Sequence, residues 1–209
     1  MTAASRRLSR DNALAGAAFT LGGSLFSIGA LLAQVGAELT IVNVTYLVGG
    51  FFFSLGGWLS IVITQAASLG RRSAVVLFVG TLLFAVSLVA AFAEGLTPRQ
   101  SDGWIWLPDV LGCVCFLVSG HLAMLDVGGG RVRILTGDVD WWIVVVNQVG
   151  SVLFFLAGVA AFVRPATSEV INVGLVNWGT FAGAACFAVA GLIQFGGGLS
   201  SLRRAPIAG

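Results

Sequence analysis

Residues 147–158 read NQVGSVLFFLAG, an amide and a Gly-Ser pair set inside a run apolar enough to lie in lipid. Polar and small residues in such a run serve either a site for a substrate or a face where two helices touch. The pattern around them recurs: Gly, a small residue, two apolar residues, Phe, two more apolar residues, then a small one. It occurs as Gly22-Gly23-Phe26-Gly29, Gly49-Gly50-Phe53-Gly56, Gly80-Thr81-Phe84-Ser87, Gly112-Cys113-Phe116-Ser119 and Gly150-Ser151-Phe154-Ala157. A sixth copy keeps Gly179, Thr180 and Cys186 but has Gly183 where Phe is expected. At about 100° per residue, the first Gly, the Phe and the last small residue fall within roughly 60° on a helix. Such a stripe lets backbones approach closely, which drives helix association in lipid.

Composition agrees with a helix-in-lipid reading. The 209 residues are 57% hydrophobic and only 10% charged, with a mean hydropathy of +0.98, far from the soluble norm. A spanning helix needs roughly 20 mostly apolar residues. Six segments qualify, near 13–36, 40–64, 73–93, 104–126, 141–163 and 171–195. The fold class expected is all-α integral membrane, with six transmembrane helices arranged as three tandem helical hairpins. These hairpins cover 13–64, 73–126 and 141–195, with a leading segment 1–12, a loop 127–140 and a tail 196–209. Gly128-Gly129-Gly130 and Gly196-Gly197-Gly198 follow spans four and six, where glycine ends a helix.

Arginine placement gives the expected direction. Arg6, Arg7, Arg10, Arg71, Arg72, Arg131, Arg133, Arg203 and Arg204 share one side, and Arg99 and Arg164 the other. Both termini are expected in the cytoplasm of a bacterial cell, with the chain in the inner membrane. Val35-Gly36-Ala37 after the first span resembles a signal-cleavage site, but its apolar run exceeds a signal core of about 7–15 residues, so the span is expected to be retained. Trp104 and Trp106, and Trp141 and Trp142, mark span starts at the headgroup level.

The stretches FTLGGSLFSIGALL, YLVGGFFFSLGGWLSIV and NQVGSVLFFLAGVAAF resemble the paired Phe-Gly-Ser-Leu-Phe helices of YrhK-like membrane domains, found in bacterial multi-pass proteins of unassigned function. The resemblance touches all three hairpins and implies a helical-hairpin unit without an activity. Span six and Asp109 depart from its pattern.

Ionisable groups inside a membrane are costly and point to function. Asp109 lies about five residues into span four, roughly 7.5 Å deep, and three before Gly112, so it faces another helix. Pro108 beside it suits a first helical turn, where an acidic group costs less. Asn43 and Asn177 enter their spans from the same side, and with Asp109 they form the candidate polar site. His121 and Asn147 are the polar residues of the inner leaflet. His121, nine residues after Gly112, takes the face opposite the stripe, where an interhelical hydrogen bond is expected; it reaches Asn147 only if that second face is used. Asp126 is expected to meet Arg131 or Arg133. The helix-packing residues are Gly22, Gly49, Gly80, Gly112, Gly150 and Gly179.

No catalytic set is legible: no HExxH, no Walker loop, no intramembrane carboxylate pair and no second histidine for haem. Cys113 and Cys115 point to nearly opposite sides of a helix and cannot share a metal; with Cys186 they read as small buried hydrophobes. The chain is expected to be no enzyme, with no cofactor or metal, and the small positive charge of +2, scattered in pairs, excludes nucleic acid. The partners expected are the lipid bilayer and a homo-oligomer or larger membrane complex. The leading functional expectation is a structural or accessory subunit that packs through Gly-rich helix faces. The alternative is a small transporter or channel with Asp109 in an outer-leaflet polar site, and a weaker idea is a sensor whose RVRILTGDVD loop (131–140) docks a partner.

Overall fold

The computed structural model describes residues 2–203. It holds six helices long and apolar enough to cross a membrane, and the chain is a multi-pass membrane protein. They are α1 (Ala3–Gln34), α2 (Leu39–Ile63), α3 (Leu69–Ala90), a composite fourth span, α6 (Val139–Ala160) and α7 (Val173–Arg203). The fourth span consists of α4 (Pro98–Ser101), a π-helical turn over Asp102–Trp106 and α5 (Leu107–Val127). Two short antiparallel strands, β1 (Val163–Arg164) and β2 (Glu169–Val170), lie in the last connection.

Local chemistry sets several ends. The Thr2 hydroxyl caps α1 by accepting from Ser5 N, and Ser68 caps α3 by accepting from Arg71 N. Thr97 and Gln100 form a reciprocal capping box that opens α4. After α5, Gly129 (φ +67°) and Gly130 (φ +89°) take the left-handed conformation, and Gly130 N donates to Leu125 O at 2.8 Å, closing the helix as the glycine run implies.

The two largest departures from the expected boundaries are the start of α1 and the end of α7; the fourth span also begins earlier than expected, at Pro98. α1 begins at Ala3, because its polar first turns are capped by Thr2 and carry an Arg7–Asp11 ion pair one turn apart. α7 runs through Gly196-Gly197-Gly198 to Arg203 instead of ending near 195. Gly198 packs directly on Ala13 of α1, so this glycine is a contact point and not a stop. Arg204 lies outside the described residues.

Each span packs on two neighbours, in the order α1, α2, α3, α5, α6, α7, and α7 returns to α1 to close a ring. The pairs α1–α2, α3–α5 and α6–α7 cross at the repeat glycines. A Cβ on Gly22 would stand 3.1 Å from Gly49 O, one on Gly112 3.0 Å from Gly80 O, and one on Gly150 2.9 Å from Gly183 O. In each pair the phenylalanine four residues after one glycine covers the other: Phe26 on Gly49, Phe53 on Gly22, Phe116 on Gly80, Phe84 on Gly112, Phe154 on Gly183 and Phe187 on Gly150.

The sixth copy is therefore complete, four residues later than the sequence alignment placed it: Gly183-Ala184-Phe187-Ala190. Gly179 packs on Ala157 and Leu153 O within the same pair, one turn above the crossing. The small residue following the repeat glycine serves the contacts between pairs at Gly23, Gly50, Cys113 and Ala184, whereas the Thr81 and Ser151 hydroxyls donate within their own helices. Gly23 meets Ala184 O, Gly50 meets Leu88, and the Cys113 thiol donates to Phe154 O at 3.4 Å. Aliphatic side chains such as Leu14, Leu21, Ile28, Val79, Leu82, Val86, Val152 and Leu156 face outward, as lipid requires.

Candidate functional site

The six repeat phenylalanines converge at the centre of the ring. Phe53 meets Phe26, Phe116 and Phe187 with ring centroids at 5.3, 6.2 and 5.5 Å, and Phe154 meets Phe26, Phe84 and Phe187 at 5.9, 6.1 and 5.6 Å. All six are nearly buried, and edge-on contacts dominate the layer. A cavity opens on each side of it, and both are lined by residues from all six spans. The cavity toward the chain termini holds about 690 Å³, and the one toward the opposite loops about 240 Å³. A void of about 10 Å³ lies among the rings. Phe116 borders both this void and the larger cavity, while Phe26 and Phe154 border both the void and the smaller one.

The repeat explains which side chains reach these spaces. The residue three before each repeat glycine stands about 4.5 Å along the helix, on nearly the same face. On α2, α5 and α7 these residues are Tyr46, Asp109 and Thr180, and all three line the smaller cavity. On α1, α3 and α6 they are Phe19, Leu77 and Asn147, and all three line the larger one.

Asp109 is half-buried and makes no hydrogen bond or ion pair among the described residues. Its Oδ2 lies against Gly158 of α6, where an added Cβ would stand 3.0 Å away. Gly158 is fixed in turn by Trp106, whose indole Nε1 donates to Gly158 O at 2.9 Å. Trp106 ends the π-helical turn, a local widening of the helix often found at functional sites. Asp102 at the start of that turn accepts from Val163 N at 3.0 Å and ties the entrance to β1.

Asn43 also lines the smaller cavity, with its Nδ2 donating to Ala91 O at 2.9 Å and satisfying a carbonyl at the end of α3. Asn177 does not join Asp109 and Asn43. It is buried between α1 and α7, donating to Gln34 Oε1 at 3.0 Å, and Thr180 stands in the cavity instead. Thr180 becomes the counterpart of Asp109 only when the sixth repeat is anchored on Gly183, and Tyr46 holds the same position in the repeat of α2.

Asn147 faces the larger cavity, and its backbone oxygen accepts the Ser151 hydroxyl at 2.9 Å. His121 is exposed on the outer face of α5 with no hydrogen-bond partner among the described residues. Nine residues carry it about 180° from Gly112, so the contact with Asn147 is not made. Asp126 does not pair with Arg131 or Arg133, because the Gly128–Gly130 turn takes both into an exposed loop. It sits instead beside Gly70 in the first turn of α3, where a carboxylate suits the helix dipole. Asp126 and Asp140 are the charged residues of the larger cavity, and Asp109 that of the smaller, among the described residues. The Ser73 and Ser119 hydroxyls lie 3.0 Å apart, buried between α3 and α5, with the opposing backbone carbonyl 2.9 Å from each as an acceptor.

Cys113 is fully buried, whereas Cys115 and Cys186 are half-buried. The polar groups that line the two spaces are carboxylates, hydroxyls and amides. Comparison of the chain with protein families, with curated proteins and with solved structures found no match.

Proposed function

We propose that this chain is a small transporter or channel of a bacterial inner membrane, with its termini in the cytoplasm. The observation that carries this reading is the series of spaces along the ring axis: a cavity from each face, with a single layer of six phenylalanines between them. A protein that only packs against partners has no need of polar residues around two axial cavities. The arginine distribution supports the direction, and the Gly-Phe hairpins that carry the YrhK-like resemblance support a bacterial source.

The accessory-subunit reading drew on Gly-rich faces offered to a partner. Gly22, Gly49, Gly80, Gly112, Gly150 and Gly179 are all taken up within the monomer, which favours the conduit reading over it. Purified protein in liposomes should release trapped solutes when a panel of cation, anion and neutral probes is offered. Silence toward all three classes, with a co-purifying partner recovered from native membranes, would return the accessory reading to first place.

A further inference from the structure

We infer that the solute is a singly charged, weakly hydrated cation, and that Asp109 is the residue that takes it up; this rests on the conduit reading above. The charged side chains lining the two cavities are Asp109 on one side of the phenylalanine layer and Asp126 and Asp140 on the other, among the described residues. The chain carries eleven basic residues, and none of them lines either space among those described. A cleft lined by one sign of charge and walled by low-dielectric material concentrates the opposite ion.

Independent of sign, Asp109 is built as a receiver. Its carboxylate has no partner among the described residues, and the missing side chain of Gly158 leaves its Oδ2 room. Tyr46 and Thr180 bring hydroxyl groups to the same layer. A volume of about 240 Å³ admits an ion with part of its water shell, at about 30 Å³ per water. The next layer offers rings and a single hydroxyl, that of Thr81, which is already donated to Phe78 O at 2.7 Å; ring faces attract a cation but cannot replace a tightly held shell. Divalent cations demand six or more oxygens and dehydrate reluctantly, so the phenylalanine layer discriminates against them. Potassium and small alkylammonium ions share the required chemistry.

Protein reconstituted in planar bilayers or liposomes is tested with gradients of potassium chloride and of ethylammonium chloride. The reversal potential should lie on the cation side in at least one of the two salts, and calcium should carry little current. Asp109→Asn should lower cation flux or selectivity by roughly tenfold or more, because it removes a charge at contact distance in a poorly solvated site. Asp109→Glu should retain cation preference, and matched elution and melting of both variants shows that the fold is intact. Equal passage of chloride, or an Asp109→Asn variant with unchanged selectivity, overturns the cation inference and leaves the conduit reading standing. Passage of no probe of any class overturns both. Activity with ethylammonium but not potassium assigns the site to organic amines, and the reverse assigns it to the metal ion.

Discussion

The two sides of the phenylalanine layer are made from the same position of the same repeat, yet they differ in chemistry. Toward the loops that position holds Tyr46, Asp109 and Thr180, and toward the termini it holds Phe19, Leu77 and Asn147. The glycines and phenylalanines next to them are the same on both sides, because they make the helix crossings and cannot vary without moving a backbone. The position three residues earlier borders a cavity and varies more: Phe19 and Tyr46 still cover Gly56 and Gly29 of the paired helix, whereas Leu77, Asp109, Asn147 and Thr180 bring other side chains to the same level. A repeat can thus hold its scaffold fixed while one layer of it acquires chemistry on a single side.

Breaking the scaffold should erase the comparison altogether. Gly150→Leu forces a side chain into a space where even a Cβ would stand 2.9 Å from Gly183 O, so the α6–α7 crossing must open. Overpacking of this kind costs at least about 1–3 kcal/mol. Thermal melting in detergent should fall sharply or folded protein should not be recovered, whereas Gly197→Ala, which meets nothing within 4 Å, should melt like the parent.

Removing the divider is the next largest change. Phe53 touches four other rings of the cluster, and Phe53→Ala should cost about 3 kcal/mol while joining the two cavities. Solute flux in liposomes should rise and become less selective; a lower rate with unchanged selectivity would show that the rings do not separate the two spaces.

The two sides can then be compared directly by Thr180→Val and Asn147→Leu. Both positions face cavities, so stability should shift by no more than about 0.5 kcal/mol. Flux should fall more in Thr180→Val, which alters the layer that holds Asp109, than in Asn147→Leu. A reversed order would place the selective layer on the terminal side. The smallest effect is expected from Ser73→Ala, which removes one member of a hydroxyl pair between helices, an interaction of about 0.6 kcal/mol in membranes. A double-mutant cycle with Ser119→Ala measures it.

The six spans and their inner stripe were legible because length, hydropathy and the Gly-Phe spacing are all local signals. The register of the last span was not, since Gly179, Gly183 and Gly191 each offer a plausible anchor, and only contact with Gly150 selects among them. Asn177 was expected in the site because it enters its span from the same side as Asp109, and the corrected register puts Thr180 there instead. Asp109 was recognised because a carboxylate in lipid is conspicuous by itself. Tyr46 carries no such mark, and its role follows only from the arrangement of the spans around an axis. Glycine usually ends helices, so the Gly196–Gly198 run predicts a loop; it stays helical here because Gly198 permits close packing on Ala13.

The closure between α1 and α7 has a consequence for how the protein is made. Its seam is the backbone contact of Gly16 and Gly23 with Gly191 and Ala184, reinforced by Thr20 and Ser27 hydroxyls on Ala188 O and Phe181 O and by the Asn12–Gln194 amide pair at 2.9 Å. The first span leaves the ribosome some 140 residues before the helix that completes this seam, at roughly 5–20 residues per second. For those seconds its glycine groove and hydroxyls lie against lipid. A chain without residues 173–203 lacks every contact of this seam, so the last helix to be made is the one that closes the ring.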